Sequence, residues 1–542
     1  QVDFLRSATA FIDSGQFPLS SGLTFAVGTT GAPVHHPPLV TWLLTIPALV
    51  SRDPAWVSAW VAAFDAVAAP IVYLTAKRIS GSTSAGVTAG VLYALNPTAI
   101  VFGRMIWNVD FVPLFAAVGL WGLVDFLVRA RPWPLALSLL AIGCAAELHP
   151  VNAVFLGLWL LVAVIGWRKL RPQPIAVGAV LLLATIAPYL YLQTKSGWSD
   201  VLNLLQYLGR PKVLDGAVLD QAGAIAGPTM FRRLLPPPGD VMTTFGYDPL
   251  TWLLIALAAA GLIAASRHRA GWAASAWLAL PILGSLRHNG DIVPHYLLAI
   301  LPALAVLQGL AVGELWRLVA SRPRLIGECS LAALSAWLAV SYGLFQRGVA
   351  RDVRQLEYGM PLRYSLAAAD LVRSRTGTDP LYLATPFLWN RTVPSLAGRH
   401  EYHWYWDRQA FVFPHEAAWY LVQNGSFGHA FLSAHFGPPN AAVANDAGLA
   451  EFSLFRLPQD APREVFSGPN FRPLDASIGN VVRMEGYLAG ALSAGQPAQV
   501  LLLWRVLDAG RVPDHLSQFA HLVDASGHTV SMDPDLYDVR EP

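Results

Sequence analysis

The stretch Gly31-Ala32-Pro33-Val34-His35-His36-Pro37-Pro38-Leu39-Val40-Thr41-Trp42 sends two histidines and three prolines straight into an apolar segment that ends at Val50. That segment, Leu39 to Val50, is too short to cross a hydrocarbon core, which needs about 20 residues of helix. Whether it is counted as a span or laid on a surface decides the topology of everything that follows it.

The composition around it is that of a membrane protein. The chain has 542 residues, 54% hydrophobic and only 13% charged, with a mean hydropathy of +0.44, against roughly a quarter charged in ordinary soluble domains. A net charge of +2 provides no basic surface for nucleic acid. The two cysteines, Cys144 and Cys329, both lie in apolar runs, which excludes a disulfide framework and a thiolate metal site. High Ala, Leu, Pro and Arg with little Lys points to a bacterial chain. The first residues, Gln1-Val2-Asp3-Phe4-Leu5-Arg6, read as the middle of a pattern.

The apolar character is confined to the first part. Up to residue 345, long hydrophobic runs alternate with short polar connections; beyond it the sequence turns charged, aromatic and turn-rich. We therefore expect an α-helical polytopic membrane domain over 1–345, with an outer loop carrying interfacial helices at 1–53. An α/β region over 346–460 and a β-sandwich-like region over 461–542 are expected to follow. Apolar runs mark about ten spans: 54–76, 84–101, 110–128, 133–147, 150–166, 174–193, 249–265, 270–285, 294–313 and 328–345.

Basic residues orient them. Lys77 and Arg78, Arg129 and Arg131, Arg168, Lys169 and Arg171, Arg267 and Arg269, and Arg317, Arg322 and Arg324 fall in alternate connections, without exception. The positive-inside rule makes these connections cytoplasmic. If Leu39–Val50 crossed the membrane, Lys77 and Arg78 would land outside, so it is expected to lie along the outer interface, where Trp42, Trp56 and Trp60 suit the depth. An outside start implies one further span upstream, about eleven in all, in a plasma (inner) membrane with the C-terminal region extracytoplasmic.

The polar residues of the membrane part then collect on the outer side. They are Asp3, Arg6, Asp13, His35 and His36; Arg104, Trp107, Asn108 and Asp110; Glu147 and His149; and Arg287, His288, Asp291, His295 and Tyr296. Ionisable groups at span ends are costly and usually face a cavity or a partner. Carboxylates, histidines and arginines beneath one outer loop suit a phosphate-bearing substrate and a general base, although water at a loop also accounts for polar residues taken singly. Asp65 lies mid-span, and Asp125 has Arg129 at i+4. In the tail, Gly398 to Arg408 (GRHEYHWYWDR) packs aromatic rings beside Glu401 and Asp407. This reads as carbohydrate contact or as a core strand with polar ends. His400 and His403 are spaced as metal ligands can be, but nothing in the sequence requires a divalent metal or other cofactor.

The membrane part resembles the lipid-linked-sugar glycosyltransferases of the GT-C class, nearest to the protein O-mannosyltransferase and aminoarabinose-transferase group and to glycosyltransferase family 39. The residues that carry the likeness are ordered along about 1–345. First come Asp3-Phe4-Leu5-Arg6-Ser7-Ala8 with Gly15-Gln16-Phe17-Pro18-Leu19, then His36-Pro37-Pro38-Leu39 with Trp42-Leu43-Leu44. Arg104, Trp107, Asp110, Pro113 and Phe115 follow, then His149-Pro150, and His295-Tyr296-Leu297-Leu298 with Leu301-Pro302.

The resemblance implies a GT-C fold and transfer of a sugar from a polyprenyl-phosphate donor, held in the membrane lipid, to an acceptor on the extracytoplasmic face. It implies inversion at the anomeric carbon with an Asp as general base. The acceptor can be glycan, lipid or protein. The family's catalytic acid lies just after the first span, where this chain begins. Asp3 is the nearest match and Asp13 the alternative, and Gln16 stands where the aminoarabinose transferases place an Asp. Asp110 occupies a second acidic position shared with the mannosyltransferases. Arg287, His288 and His295 are the phosphate candidates, with Arg6, His36, Arg104, Glu147, His149 and Tyr296 lining the site. Two other readings stay open: an oligosaccharide ligase or related lipid-phosphate transferase, for which Arg232 and Arg233 in a long outer loop speak, and a non-enzymatic transporter.

Overall fold

The computed structural model describes residues 2–22, 34–234, 245–288, 290, 292–318, 325–351, 361–385, 392–399, 401–406, 411–413, 416–446, 448–489, 500–508, 517–518, 521–523, 529–532 and 537–538. The chain forms two compact units, 1–349 and 350–542.

The first unit is helical. In order it contains α1 (Val2–Ser14), α2 (Leu39–Ala48), α3 (Pro54–Ala66), α4 (Ala68–Ser80), α5 (Thr83–Ala94), α6 (Pro97–Phe102), α7 (Val112–Arg129), α8 (Pro132–Leu148), α9 (Val154–Ile165), α10 (Pro172–Lys195), α11 (Ser199–Leu208), α12 (Ala217–Ala224), α13 (Thr229–Leu234), α14 (Pro249–Ser266), α15 (Gly271–Ser285), α16 (Leu301–Leu318) and α17 (Leu325–Arg351). Two short strands, β1 (Val213–Leu214) and β2 (Arg287–His288), pair antiparallel.

Among the described residues, Pro54–Ser80, Asn108–Arg129, Pro172–Lys195, Pro249–Ser266 and Pro294–Arg317 are long and apolar enough to cross a membrane. Of the other expected spans, 84–101, 133–147, 150–166 and 270–285 are shorter or interrupted, whereas 328–345 lies within α17, a continuous helix of 27 residues. The run at 84–101 is broken by Asn96-Pro97, where proline ends α5's hydrogen-bond ladder and the Asn96 side chain caps the N–H groups of Thr98 (2.9 Å) and Ala99 (3.1 Å) of α6. The run at 133–147 is a helix of 17 residues and that at 270–285 one of 15. The segment Leu39–Ala48 is a helix of 10 residues, as its length required.

α16 is the centre of the bundle, and small residues let its neighbours approach. A Cβ on Gly309 would meet the Ala85 carbonyl oxygen at 2.5 Å and the Ala89 Cβ at 2.6 Å, and one on Gly313 would meet the Ala85 Cβ at 2.7 Å. This is a Gly-x-x-x-Gly row on an Ala-x-x-x-Ala row, the arrangement that gains most from close van der Waals contact where water gives no hydrophobic drive. Trp277 fills the layer beside it, stacked on Phe155 at 3.9 Å and donating to the Ala299 carbonyl at 2.9 Å.

Basic residues gather at one end of the bundle. There Arg78 and Arg129 lie 3.0 and 3.8 Å from buried Asp125, the first without hydrogen-bond geometry. Arg267 (3.8 Å), His268 (3.5 Å) and Arg317 (2.9 Å) surround Glu314. The expected i+4 pair of Asp125 thus forms, with Arg78 added.

The second unit holds α18 (Leu362–Arg375), β3 (Leu381–Thr385), α19 (Thr392–Leu396), β4 (His403–Trp406), β5 (Ala418–Gln423), α20 (Phe427–Phe436), β6 (Ala441–Ala444), β7 (Ala450–Leu457) and α21 (Ala461–Phe466). Its sheet runs β4-β3-β5-β7-β6, with β3 parallel to β4 and β5 and the rest antiparallel. Val372, Leu383, Leu421 and Leu454 fill one side and Tyr420, Leu432 and Phe455 the other. β8 (Phe471–Ile478), β9 (Val482–Ala489) and β10 (Val500–Val506) form an antiparallel sheet after it. The aromatic stretch at 398–408 contributes edge strand β4: Trp404 packs on the core, while His403 faces the other way and stacks on Tyr382 at 4.8 Å. His400 and Asp407 lie outside the described residues.

Candidate functional site

The site lies at the end of the bundle opposite the basic residues. It is built on α2, whose short length leaves its first turn inside the protein. The His35-His36-Pro37-Pro38 lead is pinned by the chain that follows α1. The Ser21 N–H donates to the His36 carbonyl (2.7 Å), and the His36 N–H donates to the Gly22 carbonyl (3.2 Å). The Ser21 hydroxyl donates to the Pro37 carbonyl (3.0 Å) and is hydrogen-bonded to the Thr41 hydroxyl (2.7 Å). Pro37 and Pro38 have no N–H to satisfy, so the turn can be buried without orphaned donors.

Pro38 cannot cap α2 with its side chain, and Glu147 from the end of α8 does so instead, accepting from the Leu39 N–H at 3.2 Å. A carboxylate at a helix N-terminus is favoured by the macrodipole. Glu147 is buried, and its second oxygen has no hydrogen-bond partner among the described residues.

Aromatic and imidazole rings surround this contact. His149 follows Glu147 and lies 5.1 Å from the ring of Tyr296 and 6.0 Å from that of His295. His295 packs on Trp107 at 4.5 Å and on Tyr296 at 4.7 Å. Phe4 of α1 covers His36 at 5.6 Å. Burial, with the charge of His35 beside it, pushes the His36 imidazole down to about 4. Burial, with His36 beside it, does the same to His149. At neutral pH both rings are uncharged and serve as hydrogen-bonding groups, not as cations. The Nδ1 atom of His149 has no partner among the described residues.

Asp3 and Arg6 are exposed on α1. The Cβ of Asp3 lies 3.6 Å from where a Cβ of Gly22 would stand, and Gly22 accepts from His36, so Asp3 is on the rim of the ring cluster. Asp110 is one layer deeper. Its backbone N–H donates to the carbonyl of Trp107 (3.3 Å), and neither carboxylate oxygen has a partner among the described residues. The contact between Phe64 and Phe111 (5.1 Å) brings Asp65 into the same layer, where Tyr93 donates to it at 2.6 Å.

The structure thus unites His36, Glu147, His149, His295 and Tyr296, with Asp3 at the rim and Asp110 below, while Arg6 is exposed on α1. Other expected residues go elsewhere. Arg104 binds the Tyr342 hydroxyl and lies over its ring at 5.4 Å. Asp13 is in an exposed ion pair with Arg52 (3.0 Å). Arg287 and His288 form β2, with His288 on Asp215 at 2.9 Å, whose hydrogen bond holds that carboxyl below its ordinary range. Asp291 lies outside the described residues. Arg233, which spoke for a ligase, is taken by Asp220 at 2.7 Å.

One residue escaped the sequence reading. Asp200, buried in the first turn of α11, meets the Nδ1 atom of His35 at 3.2 Å and accepts from Gln193 (2.6 Å) and Tyr189 (3.2 Å). Its partner His35 is 165 positions away, so no local pattern could reveal it.

Residues 35–192 match the family model for dolichyl-phosphate-mannose-protein mannosyltransferases. Two crystal structures of ArnT from Cupriavidus metallidurans are similar to the chain. The one bound to undecaprenyl phosphate has 15% identity and a TM-score of 0.52, over 84% of this chain and 92% of that one. The one in the apo state has 14% identity and a TM-score of 0.53, over 85% and 93%. No curated protein matches the chain by sequence. The expected GT-C fold is borne out by the structural likeness.

Proposed function

We propose that this chain, which has the fold of the GT-C glycosyltransferases, transfers a sugar from a polyprenyl-phosphate donor to an acceptor hydroxyl on the extracytoplasmic face, with inversion and with Asp3 as general base. The observation that carries the reading is the ring cluster around α2. Uncharged His36 and His149 with Tyr296, roofed by Phe4, form a hydrogen-bonding wall at the end of a membrane bundle. Such a wall suits a lipid-borne phosphate, which arrives along the membrane and carries its own charge.

In the transfer step the acceptor oxygen attacks the anomeric carbon while Asp3 takes its proton. The bond between that carbon and the phosphate oxygen breaks, and the electron pair leaves with polyprenyl phosphate. Attack from the face opposite the leaving phosphate inverts the centre. Asp3 suits the role of base because its carboxylate is exposed at the rim. Asp13 is held by Arg52.

The test is release of free polyprenyl phosphate from prenyl-phosphate sugars by the purified protein on addition of acceptor. Asp3→Asn should lower turnover by about 10²–10⁴-fold, the span of a lost general base, while undecaprenyl phosphate binding persists. Asp13→Asn should cost less than about tenfold, since it removes only an exposed pair. Loss on Asp13→Asn with Asp3→Asn active would move the base to Asp13, and no release from any prenyl-linked donor would overturn the proposed reaction.

A further inference from the structure

At the end of the bundle opposite the ring cluster, α8 and α10 are entered by the same four-residue pattern, Arg131-Pro132-Trp133-Pro134 and Arg171-Pro172-Gln173-Pro174. The helices pack against one another near these starts, because a Cβ on Gly178 would lie 2.7 Å from the Ala136 carbonyl oxygen. The two patterns therefore stand side by side. Between them is a cavity of about 490 Å³, lined by residues 130–134 of one and by Arg171, Gln173 and Pro174 of the other. Ligand pockets are commonly about 300–1,000 Å³.

The charge in this cavity is uncompensated. Arg131 and Arg171 are exposed, and neither forms an ion pair among the described residues. The carboxylates of this end are already engaged: Asp125 by Arg78 and Arg129, and Glu314 by Arg267, His268 and Arg317. Trp133 at the cavity and Trp167 in the next connection are 56% and 64% exposed, the behaviour of indoles at a membrane–water boundary. Further along the same helices Leu137, Val177, Val180 and Leu181 are exposed and apolar.

We propose that this cavity binds the phosphodiester headgroup of an anionic phospholipid of the leaflet that the charge pattern assigns to the cytoplasm. Arg131 and Arg171 pair with the phosphate oxygens, since the guanidinium fork matches a phosphate. Trp133 sits at headgroup depth, and the acyl chains lie along the apolar flanks of α8 and α10. Basic pockets between helix ends are the usual place for such headgroups.

Native mass spectrometry of the full chain in mild detergent, titrated with phosphatidylglycerol or phosphatidylcholine, tests this. The wild-type chain should retain phosphatidylglycerol in preference to phosphatidylcholine. The Arg131→Gln/Arg171→Gln variant should bind it about 10- to 30-fold more weakly, and Arg131→Lys/Arg171→Lys should keep most of the affinity. Arg129, Arg168 and Lys169 remain in the same connections to hold the topology, and an unchanged thermal midpoint verifies folding. An Arg168→Gln/Lys169→Gln variant, which alters the same face outside the cavity, should stay within about twofold of wild type. An equal loss in that variant, or no loss in Arg131→Gln/Arg171→Gln, overturns the site. Displacement of the lipid by glycerol phosphate at equal concentration overturns the lipid assignment in favour of a free phosphate ester.

Discussion

Acidification should destabilise the helical unit through His36 and His149. Each imidazole has a pKa of about 4 in the folded chain and about 6.5 when unfolded. Between those values the unfolded state binds more protons, so stability rises with pH there. The contribution is present in full above about pH 6.5 and is lost as pH falls toward 4. At pH 5 each ring costs about 2 kcal/mol relative to pH 7.5. Each keeps an edge open to solvent and the two feel one another, so about 2–4 kcal/mol for both is the working figure. With an unfolding entropy of about 2.1 cal/mol/K per residue over the 349 residues of the unit, that is a fall in midpoint of roughly 3–5 °C. The assay is thermal unfolding in detergent from pH 7.5 to 5, comparing wild type with His36→Gln/His149→Gln, which subtracts every other titrating group. Wild type should lose about 3–5 °C more than the variant. Parallel pH profiles for the two proteins would refute the claim that these rings are held uncharged.

Two further outcomes follow from the same contacts. Asp200→Asn removes the ionised acceptor of His35 while keeping an amide against Gln193, so the KM for the prenyl-phosphate donor should rise about 5- to 20-fold with kcat within about threefold, the effect of losing one charge-assisted hydrogen bond; an equal fall in kcat would make Asp200 more than a positioning residue. Gly309→Ala should cost about 1–3 kcal/mol by overpacking against Ala85 and Ala89, read as a lowered thermal midpoint, and an unchanged midpoint would deny the close helix crossing.

What the sequence made legible is what depends on local runs and on counting. Charge parity places Leu39–Val50 off the spanning path, and the chain folds there into Leu39–Ala48, a helix too short to cross. The motif residues His36, His149, His295 and Tyr296 were legible because each lies beside a proline or at the end of an apolar run, and these ends meet in one ring cluster. What stayed hidden depends on pairing between distant elements. Arg104 and Arg287 look like anion ligands in one dimension, but Tyr342 and the β1–β2 ladder claim them or the strand they stand in. Asp200 carries no motif, and only folding places it on His35. The uninterrupted run at 84–101 hid a helix break because Asn96-Pro97 is too short to lower the hydropathy of a long window.

The role of Glu147 also changes how a phosphate must be held. From sequence, a carboxylate beside histidines reads as part of a substrate site. In the fold it occupies the N-terminus of α2 at 3.2 Å, the position where backbone N–H groups would otherwise attract an anion. The Glu147 oxygen already accepts the Leu39 N–H that a phosphate would use there, so a donor phosphate cannot take that position without displacing it. Under the proposed function the phosphate is therefore left to the ring wall. The wall can take it, since uncharged His36 and His149 each have an N–H to give, and the negative charge of a phosphodiester arriving beside them raises their proton affinity. The same burial that makes the empty site sensitive to acid would then make donor binding draw protons toward these two rings.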